Sequence, residues 1–359
     1  MLDKISMTNF KCFSNLEIQF SNLNIFSGLN GMGKSTVIQA LLLLKQSIEQ
    51  SDPLNRVFLN GKYVALGTGQ DVLFENATDE SIELTYYEND VIVPLKLRYE
   101  PHSDVLVLND DIYNLCPSFN SDFEYLNAER LAPKTIYEKS SQYVNNNQLG
   151  IYGQYTAHYL SLHQDDTIDI VANAPYKTLK DGIQYWMNEI SPNVKLNVSE
   201  ISNADFAQIN YYYTGLQDST KTREYRPTNV GFGISYILPI ITALLKAKKG
   251  SVLVIENPEA HLHPRGQRKI GELISQCASR GVQIFLETHS DHVMNGIRIC
   301  VKKTVISHDQ VKVYFFSNAE ASEDGSHSVE MPRILSNGRF DFWPDGFFDE
   351  WEKALDEIV

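Results

Sequence analysis

An α/β fold with a mixed central sheet, an antiparallel β-subdomain and an inserted α+β region is predicted by three features of this 359-residue sequence. The apolar stretch Leu23–Phe26 runs into a glycine-rich loop at 28–33. The segment Thr36–Ile48 that follows is rich in Leu and free of Gly and Pro. That order reads as strand, tight turn, helix. From Asn229 onward, short apolar runs alternate with helically spaced segments, as strands buried on both faces of a parallel sheet require. Ser81–Glu88 and Val91–Tyr99 largely alternate apolar with polar residues, the pattern of half-buried antiparallel strands.

Taken in order, Ile5–Phe10 and Leu16–Phe20 form a hairpin around a turn at Lys11 and Cys12, and the strand at Leu23 enters the glycine loop. Residues 53–70 contain Pro53, Gly61, Gly67 and Gly69 and read as loop. Pro94 cannot donate to a ladder, which makes Val91–Tyr99 an edge strand. Asp104–Leu108 adds another strand. In the middle region, loops fall at Ser140-Ser141 and Asn145–Asn147, a helix at Leu179–Ile190, and strands at Val194–Val198 and Phe206–Tyr213. A helix Ile234–Lys248, a strand Ser251–Ile255 and a helix Arg265–Ser279 come next. A strand Gln283–Glu287, a helix from Asp291 and a strand Gln310–Phe316 complete the alternation. The chain divides on this reading into 1–109, an inserted region 110–225, a second α/β part 226–317 and an acidic segment 318–359.

Composition narrows the function classes. Hydrophobic residues make up 43% of the chain, with 19 tyrosines and 17 phenylalanines, enough for a sizeable core. The net charge is −14, and residues 318–359 alone carry eleven Asp/Glu against three Lys/Arg. The remainder is only mildly acidic, which argues against broad wrapping of nucleic acid but leaves room for a local basic groove. The 4 cysteines are scattered without CxxC or Cys/His metal spacing, so free thiols are expected. No signal-peptide pattern begins the chain and no apolar run approaches the roughly 20 residues that span a bilayer. A soluble, cytoplasmic protein with no membrane partner is the expectation.

The chemistry begins at Gly28-Leu29-Asn30-Gly31-Met32-Gly33-Lys34-Ser35-Thr36. Gly28, Gly31 and Gly33 let the backbone turn so that successive N–H groups point at phosphates. Lys34 reaches β/γ oxygens, and the Ser35 hydroxyl is a Mg²⁺ ligand. A helix directly afterwards aims its positive end at the same anion. This P-loop implies ATP with Mg²⁺, held by Asn30, Gly31, Gly33, Lys34, Ser35 and Thr36.

A second constellation lies far along the chain. Val252–Ile255 ends in Glu256-Asn257-Pro258-Glu259. In P-loop ATPases such a strand delivers a carboxylate to Mg²⁺ and a second that polarises water. The usual Asp-Glu-Pro is here Glu-Asn-Pro, so Glu256 falls at the metal position and Asn257 at that of the base. An amide can orient a water but cannot take its proton, and losing a general base costs roughly 10²–10⁴ in rate. Hydrolysis is then slow, or Glu259 or Glu287 substitutes. His261 and His263, with Glu259, leave open a metal site or a loop that contacts a second subunit. Gly231-Phe232-Gly233-Ile234-Ser235 opens a long apolar helix, either as a second anion site or as an ordinary capped start.

These residues, with Asn9–Phe13, Tyr125–Pro133, Asn229–Ser235, Glu256–Pro264, Glu287–His292 and Trp343–Asp349, resemble the ABC-type ATPase heads of the SMC, RecF and OLD groups. Compact bacterial AAA family ATPases with a carboxy-terminal domain of unknown function are the nearest likeness. The resemblance implies ATP sandwiched between two heads in a homodimer or higher oligomer, with Gly233 and Ser235 completing the partner's site. It implies that His289 hydrogen-bonds the γ-phosphate, that Gln70 is the Q-loop residue near Mg²⁺, and that Lys11 lies near the nucleotide. No coiled-coil rod interrupts the chain, and about 40 residues after the last strand are short of a nuclease domain. The implied function is an ATP-dependent regulator of a separately encoded effector, a nuclease, in bacterial antiphage defence. The alternative is a RecF-like repair ATPase that binds DNA directly.

Overall fold

The computed structural model describes residues 1–120, 122–170, 174–215, 221–317 and 325–358, with the side chains of 350–352 outside the description. Two compact units result. One comprises Met1–Ser121, Val311–Arg333 and Phe340–Val359; the other comprises Asp122–Gln310 and Ile334–Arg339.

In the first unit the chain forms β1 (Lys4–Phe10), β2 (Phe13–Gln19), β3 (Leu23–Gly28), α1 (Lys34–Ile48) and β4 (Leu54–Phe58). It continues through α2 (Gly69–Val72), β5 (Ile82–Glu88), β6 (Val91–Leu97) and β7 (Val105–Ile112). An antiparallel sheet runs in the order β2-β1-β5-β6-β7-β4. The hairpin closes at Phe10↔Phe13, where the sequence puts its turn. Tyr86 of β5 donates its hydroxyl to Ala40 O, 2.7 Å, tying this sheet to α1.

Two expectations need correction here. The passage 53–70, read as loop, contains the strand β4, which pairs with β7 and has Leu54 and Val57 fully buried. Pro53 and the glycines lie outside the strand and do not interrupt it. β6 is an interior strand in the sheet order, not an edge. Pro94 is tolerated because β7 pairs with β6 only at Leu97↔Leu108, so no second neighbour demands its amide.

The second unit contains β8 (Phe123–Leu126), β9 (Tyr137–Glu138), α3 (Ser141–Asn145), α4 (Thr156–His163), α5 (Leu179–Ile190), β10 (Val194–Glu200) and β11 (Phe206–Tyr213). After these come α6 (Phe232–Lys246), β12 (Val252–Glu256), α7 (Pro264–Ser279), β13 (Gln283–Glu287) and α8 (Asp291–Lys302). β12 is parallel to both β13 and β8. All three strands are almost wholly buried, which explains the apolar runs Val252–Ile255 of β12 and Ile284–Leu286 of β13 and requires a partner for Glu124 in β8. A small antiparallel sheet β10-β11-β9 stands apart. Lys246 of α6 and Glu124 of β8 form an ion pair of 3.0 Å with both side chains buried. Further bonds to Asn147 O and from Leu149 N complete their shells.

The chain then returns to the first unit as β14 (Val311–Ser317), β15 (Ser328–Glu330) and α9 (Glu350–Ile358). β14 is parallel to β3 and antiparallel to β15, a mixed arrangement. The start of the acidic segment, residues 318–324, and the side chain of Trp351 lie outside the described residues. Farther on, Phe347 is fully buried with its ring 5.2 Å from Phe315 of β14 and 5.1 Å from Phe340. The aromatic segment is thus packed down on the sheet, while Phe342 and Trp343 stay 45% and 46% exposed.

Helices α7 and α8 cross at two glycines. A Cβ on Gly271 would stand 2.2 Å from Val293 O, and one on Gly296 would stand 2.2 Å from Arg268 O. Neither backbone oxygen can yield without separating the helices. Gly296→Val is therefore expected to lower the unfolding free energy by about 2 kcal/mol or more. An unchanged denaturant midpoint would contradict this packing.

Candidate nucleotide site

β3 is buried along its whole length, so its chain leaves the sheet only at Gly28. Gly28 has φ +139°, and a Cβ there would lie 2.1 Å from Phe316 O. Gly33 has φ +95°, and a Cβ there would strike Cys12 Sγ at 2.6 Å and the Phe13 ring at 2.7 Å. Gly31 differs: its φ is +80° but nothing lies within 4 Å of the added carbon. Two glycines are therefore required for space as well as for φ. The third is required for its backbone alone, in the open.

α1 starts directly after this turn at Lys34, with Gly33 in the capping position. Its positive end points into a cavity of about 570 Å³ lined by Gly31, Gly33, Lys34, Ser35 and Thr36. Lys34 is buried and donates from Nζ to Gly28 O at 3.0 Å and Leu29 O at 2.7 Å. Asn30, Gly31 and Ser35 are exposed. Thr36 is buried and donates its N–H to Gly33 O. Open glycine backbone, a helix start and an inward lysine fit a triphosphate, and the exposed Ser35 hydroxyl fits its Mg²⁺.

Lys11 also lines this cavity and donates from Nζ to Gln39 Oε1 at 2.8 Å; burial pulls its pKa down. Gln70 does not line it. That side chain is exposed on the short α2, and the next residue, Asp71, occupies the wall. Asp71 accepts the Thr68 N–H at 2.7 Å and the Thr68 hydroxyl at 2.9 Å, bonds that hold its pKa low. Asp71, Gln39 and His327 line the cavity without belonging to any motif, and Cys12 lines it from the Asn9–Phe13 run.

The second unit builds its own polar cluster where β12 ends. Glu256 accepts the Tyr125 hydroxyl at 2.9 Å and the Ala128 N–H at 3.1 Å. Arg130 is buried and donates to Glu256 O at 2.7 Å and Asn257 O at 2.6 Å, with its guanidinium 4.4 Å from the Tyr236 ring. Asn257 takes φ +42°, a left-handed conformation that Asn tolerates and Glu does not favour. Its Oδ1 is buried and has no hydrogen-bond partner among the described residues.

Glu259 accepts the Thr288 hydroxyl and the His289 N–H, both at 2.8 Å. It therefore fixes the turn that presents the exposed His289. Glu287 is buried at the end of β13, and its carbonyl accepts the Asn257 N–H at 2.9 Å. Gly233 is packed so tightly that a Cβ would stand 2.3 Å from His261 O. Ser235 is buried near the Tyr211 hydroxyl, so exposed Gly231 and Phe232 form the outer surface at this helix start. The His261 ring packs on Phe232 at 4.6 Å, and His263 Nδ1 accepts the Arg265 N–H as the cap of α7. Among the described residues, no group of three His, Cys, Asp or Glu is placed to hold a metal.

Residues 23–295 match a family model described as AAA domain, putative AbiEii toxin, Type IV TA system. The chain belongs to this AAA-domain family. It is therefore a P-loop ATPase of a family that works with ATP and Mg²⁺. A second model, a protein of unknown function called DUF3696, matches residues 306–358. The DNA replication and repair protein RecF of Cytophaga hutchinsonii is 35% identical over 89 residues, 24% of this chain and 22% of that protein. The chain thus spans about a fifth of the length of the curated relative it matches. A Smc head bound to the C-winged helix domain of ScpA aligns with TM-score 0.59 at 14% identity, covering 93% of this chain and 98% of that one. A Smc head with an extended coiled coil, bound to the C-terminal domain of ScpA derived from Pyrococcus furiosus, aligns with TM-score 0.52 at 12% identity and 99% coverage of both. At such identities these likenesses establish the SMC-head, ABC-ATPase-like fold. No helix among the described residues is long and apolar enough to cross a membrane.

In this AAA-domain chain the carboxylates after β12 are electrostatically costly. Burial raises the pKa of Glu256 against the bonds from Tyr125 and Ala128, and burial does the same at Glu259. Arg130 is pulled down to about 10 by its own burial, which leaves it cationic near neutrality. A carboxyl whose pKa is higher in the fold stabilises the fold below its unfolded pKa, and that stability is lost as pH rises through the folded value. Glu256→Gln removes this titration. The variant should gain unfolding free energy relative to the parent in denaturant titrations as pH rises above the ordinary glutamate range, about pH 4. A difference that does not change with pH would contradict the assignment.

Proposed function

We propose that this protein is an ATP switch: two copies, or a higher oligomer, close around Mg²⁺–ATP, hydrolyse it slowly and regulate a separately encoded effector, a nuclease, in bacterial antiphage defence. The P-loop geometry is the observation that carries the nucleotide part. The family description, with its toxin and Type IV TA system, supports the defence part.

In this reading the amides of Gly31 and Gly33 and the ammonium of Lys34 bind the phosphates, with Asn30 and Thr36 beside them. Ser35 and Glu256 would hold Mg²⁺, and Asp71 would take the role near it that the resemblance implies for Gln70. Bound Mg²⁺ supplies charge neutralisation of the phosphate oxygens. Lys34 is already desolvated and aimed inward, so little reorganisation accompanies binding. His289 donates to the γ-phosphate and Glu259 positions it. Asn257 orients the attacking water through its unpartnered Oδ1. The proton then falls to Glu287, a weaker arrangement than a carboxylate at position 257. Gly233, with the exposed start of α6, faces the partner's nucleotide.

A second reading is favoured by the stretch that matches RecF: direct binding of DNA by a repair ATPase. Such binding would fall steeply with salt, whereas the switch reading expects a salt-insensitive protein that co-purifies with its effector.

Lys34→Ala is expected to abolish ATP binding and the ATP-dependent increase in mass measured by light scattering. Unchanged affinity in that variant would refute the nucleotide site. Asn257→Glu is expected to raise turnover by about tenfold or more, although its backbone conformation opposes the larger side chain. Unchanged turnover would show that another group already accepts the proton or that chemistry is not limiting.

A further inference from the structure

The C-terminal part of the chain comes back to the nucleotide loop within the first unit. β15 pairs with β14 at Ser317↔Ser328, and β14 pairs with β3 at Phe316↔Gly28. Just before β15, Ser326 is buried and its Oγ accepts the Ser14 N–H at 3.2 Å. His327 donates its N–H to Cys12 O at 3.3 Å and sets its ring edge-on to Phe13, with centroids 6.3 Å apart. Gly325 and His327 both line the cavity in front of Lys34. The Nδ1 of His327 is buried without a hydrogen-bond partner among the described residues. That nitrogen has no accessible surface, so a ligand in the cavity meets the ring at its other nitrogen, Nε2.

The loop's geometry says which end of a nucleotide this ring would meet. Lys34 Nζ lies against the loop's beginning, at Gly28 O and Leu29 O, and marks the β/γ end. Cys12 and Phe13 lie against its far end, at Gly33, and Cys12 Sγ is 3.5 Å from Thr36 Oγ1. His327 is attached to Cys12 and Phe13, on the side away from the γ-phosphate.

We propose that His327 hydrogen-bonds the nucleoside end of the bound nucleotide, so that the segment of unknown function is itself part of the nucleotide site. This rests on the nucleotide reading above. The imidazole carries one donor and one acceptor and suits a ribose hydroxyl or a base edge. Occupancy then fastens residues 325–330 to the β1–β2 turn, and the C-terminal segment reports the nucleotide to whatever binds it.

Two probes separate the parts of the idea: Mg²⁺–ATP and Mg²⁺–tripolyphosphate, which has the phosphates without the nucleoside. His327→Ala should weaken ATP about tenfold, the loss of one hydrogen bond, and leave tripolyphosphate unchanged. His327→Gln should recover part of the loss. Unchanged ATP affinity in His327→Ala, or equal weakening of both probes, would overturn the proposal. Should the variants not fold, amide exchange in the unmodified protein decides: slowing at 325–330 by ATP but not by tripolyphosphate supports it, and no slowing by ATP overturns it. An unmodified protein that binds neither probe fails the nucleotide reading itself, and this inference falls with it.

Discussion

One backbone turn, from Gly28 to Gly33, governs the rest of the first unit. It must leave a fully buried strand, reverse with three positive-φ residues and start a helix at the next residue. Each demand is met by absence of a Cβ. At Gly28 and Gly33 even one added carbon would collide with neighbouring atoms at under 3 Å. β14 and the β1–β2 hairpin are pressed directly against the loop, so they are the mould that keeps it in shape without ligand. Lys34 bound to the loop's own carbonyls completes a site formed in advance, and pre-formed donors are what makes phosphate binding inexpensive in reorganisation.

The second unit solves a different problem, that of burying carboxylates at a strand end. Tyr125, Ala128 and Arg130 all converge on Glu256 and the backbone after it. Arg130 donates to carbonyls, so its charge supports the turn without forming a direct ion pair that would lock the carboxylate away. Glu259 accepts from the Thr288 hydroxyl and the His289 N–H and so fixes the turn that carries His289. At the end of β12, Asn257 keeps a buried oxygen without a partner among the described residues, an orphan that calls for a ligand or water.

Periodicity carried most of the fold. Helix Leu179–Ile190 and strands Phe206–Tyr213 and Gln283–Glu287 fall where apolar spacing puts them, because each buries one stripe or both faces. β4 escaped notice since Pro53 and Gly61 bracket it so closely that its five residues look like part of a loop. β6 looked like an edge because Pro94 forbids a donor, and no local pattern tells how short a neighbour's pairing will be. The motif residues were readable because phosphate chemistry fixes their spacing. Asp71 and His327 were not, since each enters the cavity by tertiary approach, although the Thr68-x-x-Asp71 cap beside Gln70 is a local signal for Asp71; Gln39 lies on α1 itself, one turn beyond Ser35. Arg130 lies in the Tyr125–Pro133 run that carries the resemblance, but no spacing announces its role.

The amides of this turn are proposed to hold a triphosphate. Hydrogen–deuterium exchange of residues 29–36, followed with and without Mg²⁺–ATP, tests this most directly. Slower exchange centred on those amides is the expected result. Exchange there that ignores the nucleotide, at concentrations where binding is saturated, would contradict the account.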